Sequence, residues 1–174
     1  VAGQMGMTMQ VVNAIQAFSF SWMSTKIPIY STYIAQRRYE LLDILFQKTL
    51  KQMLSVCLVI IILFLVTLQY IDVFFPFGIS NRFISGMPLY LLCFSIISSQ
   101  ILSSYANYLR CYKREPLVVM PVLIAALCAV SAFVCTSSFG MTGLVCGYTV
   151  IISFIELPWA YAIYKNKKRE WQQL

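Results

Sequence analysis

MLSVCLVIIILFLVTLQY, residues 53–70, carries no charge, no proline and no glycine over 18 consecutive positions. A helix that borders water shows polar residues at every third or fourth position along its outer side. This stretch shows no such repeat. At ~1.5 Å per residue it reaches about 27 Å, close to the ~30 Å hydrocarbon thickness of a bilayer. The chain therefore reads as a membrane protein, and lipid rather than water is its reference solvent.

The bulk composition agrees. Hydrophobic residues make up 60% and charged residues 11%, against about a quarter charged in soluble domains. The net charge of +7 is no nucleic-acid signal. The basic residues sit in short clusters between apolar runs, where they set membrane topology. The six cysteines (Cys57, Cys93, Cys111, Cys128, Cys135, Cys146) form no C-x-x-C pair and lie mostly inside apolar runs. They read as lipid-facing or core thiols. No histidine is present, which excludes a histidine-based metal site, triad or proton relay.

The reading is an all-α, polytopic bundle forming one membrane domain. Five spans are expected, at about 5–34, 53–70, 88–109, 117–134 and 144–164. The connectors are 36–52, 71–87, 110–116 and 135–143. Arg37, Arg38, Lys48 and Lys51 lie in the first connector, and Arg110, Lys113 and Arg114 in the third. The tail holds Lys165, Lys167, Lys168 and Arg169. Only Arg82 lies in the alternate connectors. The positive-inside rule then places the C-terminus in the cytoplasm and the start of the first span outside. An outward start without a signal, in a chain beginning at Val1, leads us to expect the C-terminal piece of a longer protein.

The first connector is amphipathic. Tyr39, Leu41, Leu42, Leu45, Phe46 and Leu50 share one half of a helical wheel, and Arg37, Glu40, Asp43, Gln47, Lys48 and Lys51 the other. This predicts a sixth, cytoplasmic helix lying at the membrane interface, with Leu41, Leu45 and Phe46 at the headgroup boundary. Membrane lipids are thus expected partners.

Polar residues inside the spans mark where function could lie. Gln10, Asn13, Ala17, Ser21 and Ser24 fall within an arc of about 80° on the first span. Amides in lipid need partners, so this stripe either glues helices together or lines a wet cavity. Lys26, just before Pro28, either snorkels to the headgroups or meets a substrate. Pro28 can break the helix there. Ser95, Ser99, Ser103 and Ala106 share one face of the third span and permit close packing. Gly143 and Gly147 form a G-x-x-x-G at the start of the fifth. Glu156 is the only acid deep in an apolar segment, as a structural counter-ion or a coupling-ion site. No phosphate loop or nucleophile motif is present, and the topology puts Asp43 and Asp72 on opposite sides of the membrane. An enzyme is therefore not expected, nor a metal or cofactor.

Several stretches carry a family likeness. A polar-striped span leads into STKIPIY (residues 24–30), then an amphipathic connector with FQKTL (46–50). NYLRCYKREP (107–116) precedes the fourth span and GMTGLVCG (140–147) the fifth. Together these resemble the oligosaccharide flippases of the multidrug/oligosaccharidyl-lipid/polysaccharide exporter superfamily, with O-antigen and polysaccharide-unit flippases most similar. The resemblance implies about a dozen spans in two pseudo-symmetric lobes. This chain would supply the last five, with an N-terminal lobe of the same protein as partner. It further implies a bacterial inner-membrane transporter moving undecaprenyl-pyrophosphate-linked sugar units for polysaccharide biosynthesis. Basic residues would hold the pyrophosphate of the lipid-linked oligosaccharide. Lys26 is the one basic residue in the equivalent span, with Arg37 and Arg38 at the cytoplasmic entrance and Gln10 and Asn13 along the cavity. A drug or cation exporter of the same superfamily, or a non-transporting scaffold subunit, are the competing expectations.

Overall fold

In the computed structural model the described residues are 2–74, 83–84, 86–112 and 119–172. Arg82, Lys113 and Arg114, which carry part of the topology argument, lie outside them. The described residues are almost wholly helical. The order is α1 (Ala2–Ser24), α2 (Ile27–Ala35), α3 (Tyr39–Phe74), α4 (Met87–Arg110), α5 (Val119–Val150), a π-helical segment (Ile151–Glu156) and α6 (Leu157–Gln172). An all-α membrane bundle is thus the architecture. Four stretches are long and apolar enough to cross a bilayer: Tyr39–Tyr70, Met87–Arg110, Met120–Ser137 and Gly140–Trp171. The more polar α1, 23 residues long, packs alongside α3 and α4.

The first expected span is two helices. Pro28 has no N–H to give and its ring would strike the carbonyl one turn back. The helix accordingly stops at Ser24 and restarts with Lys26 as the N-cap of α2 and the proline in its first turn. The chain then needs only Gln36–Arg38 to reverse. Arg37 takes a left-handed φ of 56°, a conformation that side-chain-bearing residues rarely adopt.

The amphipathic connector is helical, as its periodicity predicts, but it runs without a break into the second span. With 36 residues, α3 is about 54 Å long, so its first third stands beyond the hydrocarbon slab. Part of its apolar side, Phe46 included, meets protein. Leu42 and Phe46 are buried with Tyr30, Tyr108, Leu109 and Trp171. Leu41 and Ile44 stay exposed.

The fourth and fifth expected spans join through one residue rather than a nine-residue connector. The hydroxyls and thiol at 135–137 do not end the helix, because Ser137 Oγ back-bonds to the Val134 carbonyl at 2.7 Å. Only Gly140, at φ 59° and ψ −138°, leaves the helical region. A Cβ at Gly147 would collide with Ser131 Oγ and lie 3.5 Å from Cys135 Sγ. Contact between residues 131 and 147 requires the two arms of α5 to fold back on each other. Pro158, expected to interrupt the last span, follows a π-helical segment, where the Leu157 N–H reaches back to the Ile152 carbonyl. The wider turn absorbs the hydrogen bond the proline cannot make.

Two ends of the bundle can be told apart by what they gather. At one, the start of α3, α2, the end of α4 and the end of α6 share a single buried cluster. Lys26, Arg37, Arg38, Lys48, Arg110 and the basic residues of α6 lie at this end. At the other, the start of α1, Ile84 and the start of the second α5 arm meet through Met5, Met9, Val145 and Leu144. There the Ile84 N–H donates to Thr8 Oγ1 at 3.1 Å.

Candidate functional site

The outward faces of the helices differ in chemistry. Val59, Ile62, Leu63 and Val66 of α3, and Leu127 and Phe133 of α5, are exposed and purely apolar, as lipid-facing surfaces should be. The outward face of α1 is mixed: a small and polar stripe of Gly3, Gly6, Gln10, Asn13, Ala17, Ser21 and Ser24 is exposed, with Met7, Phe18 and Trp22 exposed beside it. Ser21 Oγ donates to the Phe18 carbonyl at 2.7 Å and Ser24 Oγ to the Ser21 carbonyl at 2.9 Å, so the helix satisfies its own hydroxyls. The carboxamides of Gln10 and Asn13 have no hydrogen-bond partner among the described residues. Bare amides in lipid cost several kcal/mol, so this face calls for water, a polar ligand or another polypeptide.

Beside the stripe, α1 and α4 leave a groove of about 310 Å³ lined by Asn13, Gln16, Ala17, Phe20, Ser99, Gln100 and Ser103. The 3.6-residue period brings Asn13, Gln16 and Phe20 onto one side of α1 and Ser99 and Ser103 onto one side of α4. Gln100 is only 2% exposed. Its Nε2 donates to the Gln16 carbonyl at 2.8 Å, tying the two helices together. Its Oε1 is buried without a partner, a state that costs about 1–3 kcal/mol.

Lys26 lies half-buried at the α1–α2 break, six residues past Phe20. That is about 9 Å along a helix axis. Arg37 and Arg38 are exposed and line a separate recess of about 460 Å³ with Tyr39, Glu40 and Leu41. The nine residues of α2 stand between them and Lys26. So Asn13 enters the groove, Gln10 stays on the open stripe, and the two arginines belong to another surface.

Glu156 closes the π-helical segment and is 8% exposed. No basic side chain pairs with it among the described residues. The same segment is pinned to α4 by the Ser98–Ser153 hydroxyl pair at 2.9 Å.

At the basic end, Phe46 sits in an aromatic cluster, 4.7 Å between ring centres from Tyr108 and 5.9 Å from Tyr164. Asp43 caps it: Tyr108 donates to Oδ1 at 3.0 Å and Lys168 pairs with Oδ2 at 2.7 Å. Nearby, burial pushes the Cys111 thiol up from its ordinary pKa, with Ser31 opposing in part. A protonated thiol is a poor nucleophile. No cluster able to hold a metal occurs among the described residues. Gln16, Gln100 and the Asp43–Lys168 pair are what sequence reasoning passed over. A glutamine in the middle of the serine-rich α4 was the visible clue to the groove. Comparison with family models, with curated proteins and with solved structures gives no match.

Proposed function

We propose that the chain is part of a membrane transporter that flips lipid-linked oligosaccharide units across a bacterial inner membrane, with the polar face of α1 as one wall of the path. The observation that carries this reading is the contrast between that face and the apolar outward faces of α3 and α5. A path for a sugar through lipid needs such a surface, and it changes no covalent bond. The N-terminal lobe of the same protein would supply the opposite wall. The basic end of the bundle faces the cytoplasm, where Lys26 meets the pyrophosphate and Arg37 and Arg38 attract it at the entrance. Glu156, an acid in a π-helical turn with no basic partner among the described residues, takes the coupling ion; such turns recur at functional sites.

Export of surface polysaccharide in a flippase-deficient strain tests this, using the full-length protein. Lys26→Ala is expected to abolish export at normal expression, and Lys26→Arg to retain part of it. Wild-type export in both Lys26→Ala and Lys26→Gln would show a lysine that only snorkels and would overturn its role. A drug or cation exporter predicts instead drug resistance with no effect on polysaccharide.

A further inference from the structure

Lys51 and Asp72 bracket the part of α3 that hydrocarbon can cover. The residues between them, 52–71, carry no charge, and at ~1.5 Å each they reach about 30 Å, one hydrocarbon thickness. The headgroups add about 5–7 Å on each side. Lys48 lies about 4.5 Å past Lys51 along the helix, at headgroup level. Ile44 and Leu41 lie about 10 and 15 Å past it, beyond the headgroups, and a tilt of ~20° shortens these heights only slightly. The start of α3 and the turn before it therefore stand in water.

That tip carries two chemistries side by side. Leu41 is 45% exposed and Ile44 65% exposed, although Leu42 and Phe46 of the same helix are buried. Three residues apart, the exposed pair shares one face. Arg37 and Arg38 are exposed and line the recess of about 460 Å³ together with Tyr39, Glu40 and Leu41. Lys48 continues the row one turn beyond Ile44. Among the described residues, Arg37, Arg38, Lys48 and Lys51 make no ion pair. Glu40 is the exposed acid here, and the Asp43 oxygens are turned to Tyr108 and Lys168. Arg37 holds its φ of 56° where a glycine would do so without strain, so the turn gives up stability to present a guanidinium.

We infer that this tip is a docking surface for a cytoplasmic protein, which binds through an acidic segment that also carries apolar side chains. The excess of cations selects the sign of the partner, and Leu41 and Ile44 call for apolar anchors on it. Arginine forks suit carboxylates, which they hold through paired hydrogen bonds. A lipid headgroup stays in the layer of Lys48, so contact with the arginines is left to something soluble. A free phosphate would use the arginines and leave the apolar pair bare. The docking rests on the cytoplasmic placement of the basic end and not on what is transported. It would hold a soluble protein against the membrane beside the cytoplasmic end of the bundle.

The experiment is a binding titration of the full-length protein in phosphatidylcholine nanodiscs, with empty discs as the baseline. The probe is a peptide of two Leu-Glu-Glu-Leu-Leu-Glu-Ala repeats, and its counterpart has serine at every leucine. The leucine peptide is expected to bind ~10-fold tighter, as burial of one or two apolar side chains supplies. Arg37→Ala with Arg38→Ala, and separately Leu41→Ser with Ile44→Ser, should each weaken it ~10-fold. Lys165→Ala with Arg169→Ala removes equal charge from exposed positions of α6 and should change it less than ~2-fold. Arg37→Gly should weaken the peptide and keep the unfolding midpoint, a combination that a residue kept for folding would not give. Equal affinity of the two peptides, an equal loss in the α6 pair, or displacement of the leucine peptide by equimolar inorganic pyrophosphate overturns the docking surface. In cells, Leu41→Cys in an otherwise cysteine-free full-length protein should react with N-ethylmaleimide more slowly than after purification. Equal rates, or protection that persists in the purified protein, overturn a separate partner.

Discussion

Asp43 is the residue at which the helices of the basic end converge. Its two oxygens are used separately, one by Tyr108 at 3.0 Å and one by Lys168 at 2.7 Å. Lys168 Nζ also stands 5.9 Å from the Tyr164 ring centre. The side chains of Lys168 and Asp43 are 24% and 26% exposed, so the pair is partly desolvated. Removing Lys168 takes one contact from a partly desolvated carboxylate, which makes removal of a single partner costlier than the pair's net worth. Lys168→Met should destabilise the protein by about 1–2 kcal/mol. In a double-mutant cycle with Tyr108→Phe, a coupling of about 1 kcal/mol is expected, read from thermal unfolding in detergent. Additive effects would mean that the geometry carries no energy. This node was hidden in the sequence for a physical reason. The wheel of residues 39–51 placed Asp43 correctly on the polar side, but periodicity gives a face and not a partner. Lys168 lies near the other end of the chain. Phe46 shows the same gap: it was recognised as apolar, yet whether lipid or tyrosine covers it depends on α2, α4 and α6 arriving there.

Among the elements, α5 makes the sharpest demand on one residue type. Its two arms touch where Gly147 faces Ser131, with no room for a Cβ. Gly147→Leu should lower stability by about 1–3 kcal/mol, as overpacking does. Ser131→Gly should restore part of it in the double variant. An unchanged unfolding midpoint for Gly147→Leu would show that the arms are further apart. The G-x-x-x-G spacing announced this approach, and long charge-free runs announced the helices, because hydrophobic length is a local property. Boundaries were less legible. Pro28 and Pro158 gave warning of breaks, but one produced a new helix and the other only a π-helical turn. Ser, Thr and Cys near 135–138 read as a connector between spans, whereas in lipid a helix keeps their backbone bonds inside itself.

For the molecule as a whole, the separation of its two ends makes the expected orientation testable. Single cysteines at Thr142 and Lys167, in an otherwise cysteine-free full-length protein, should label from opposite sides. Lys167 should be protected from an impermeant maleimide in intact cells and Thr142 accessible. Labelling of both without permeabilisation would overturn a cytoplasmic basic end. The groove and the α1 stripe lie between these ends, so a path along them would run through the membrane rather than over a surface. The single-residue reversal at Gly140 bears on how such a bundle is made. From residue 119 to 155 the sequence holds no charged side chain, and only Gly140 leaves the helix. The joint between the two arms therefore holds no charged group that has to be moved through the bilayer when this region is inserted. The two arms can then enter lipid as one charge-free hairpin, with Gly140 as its non-helical joint.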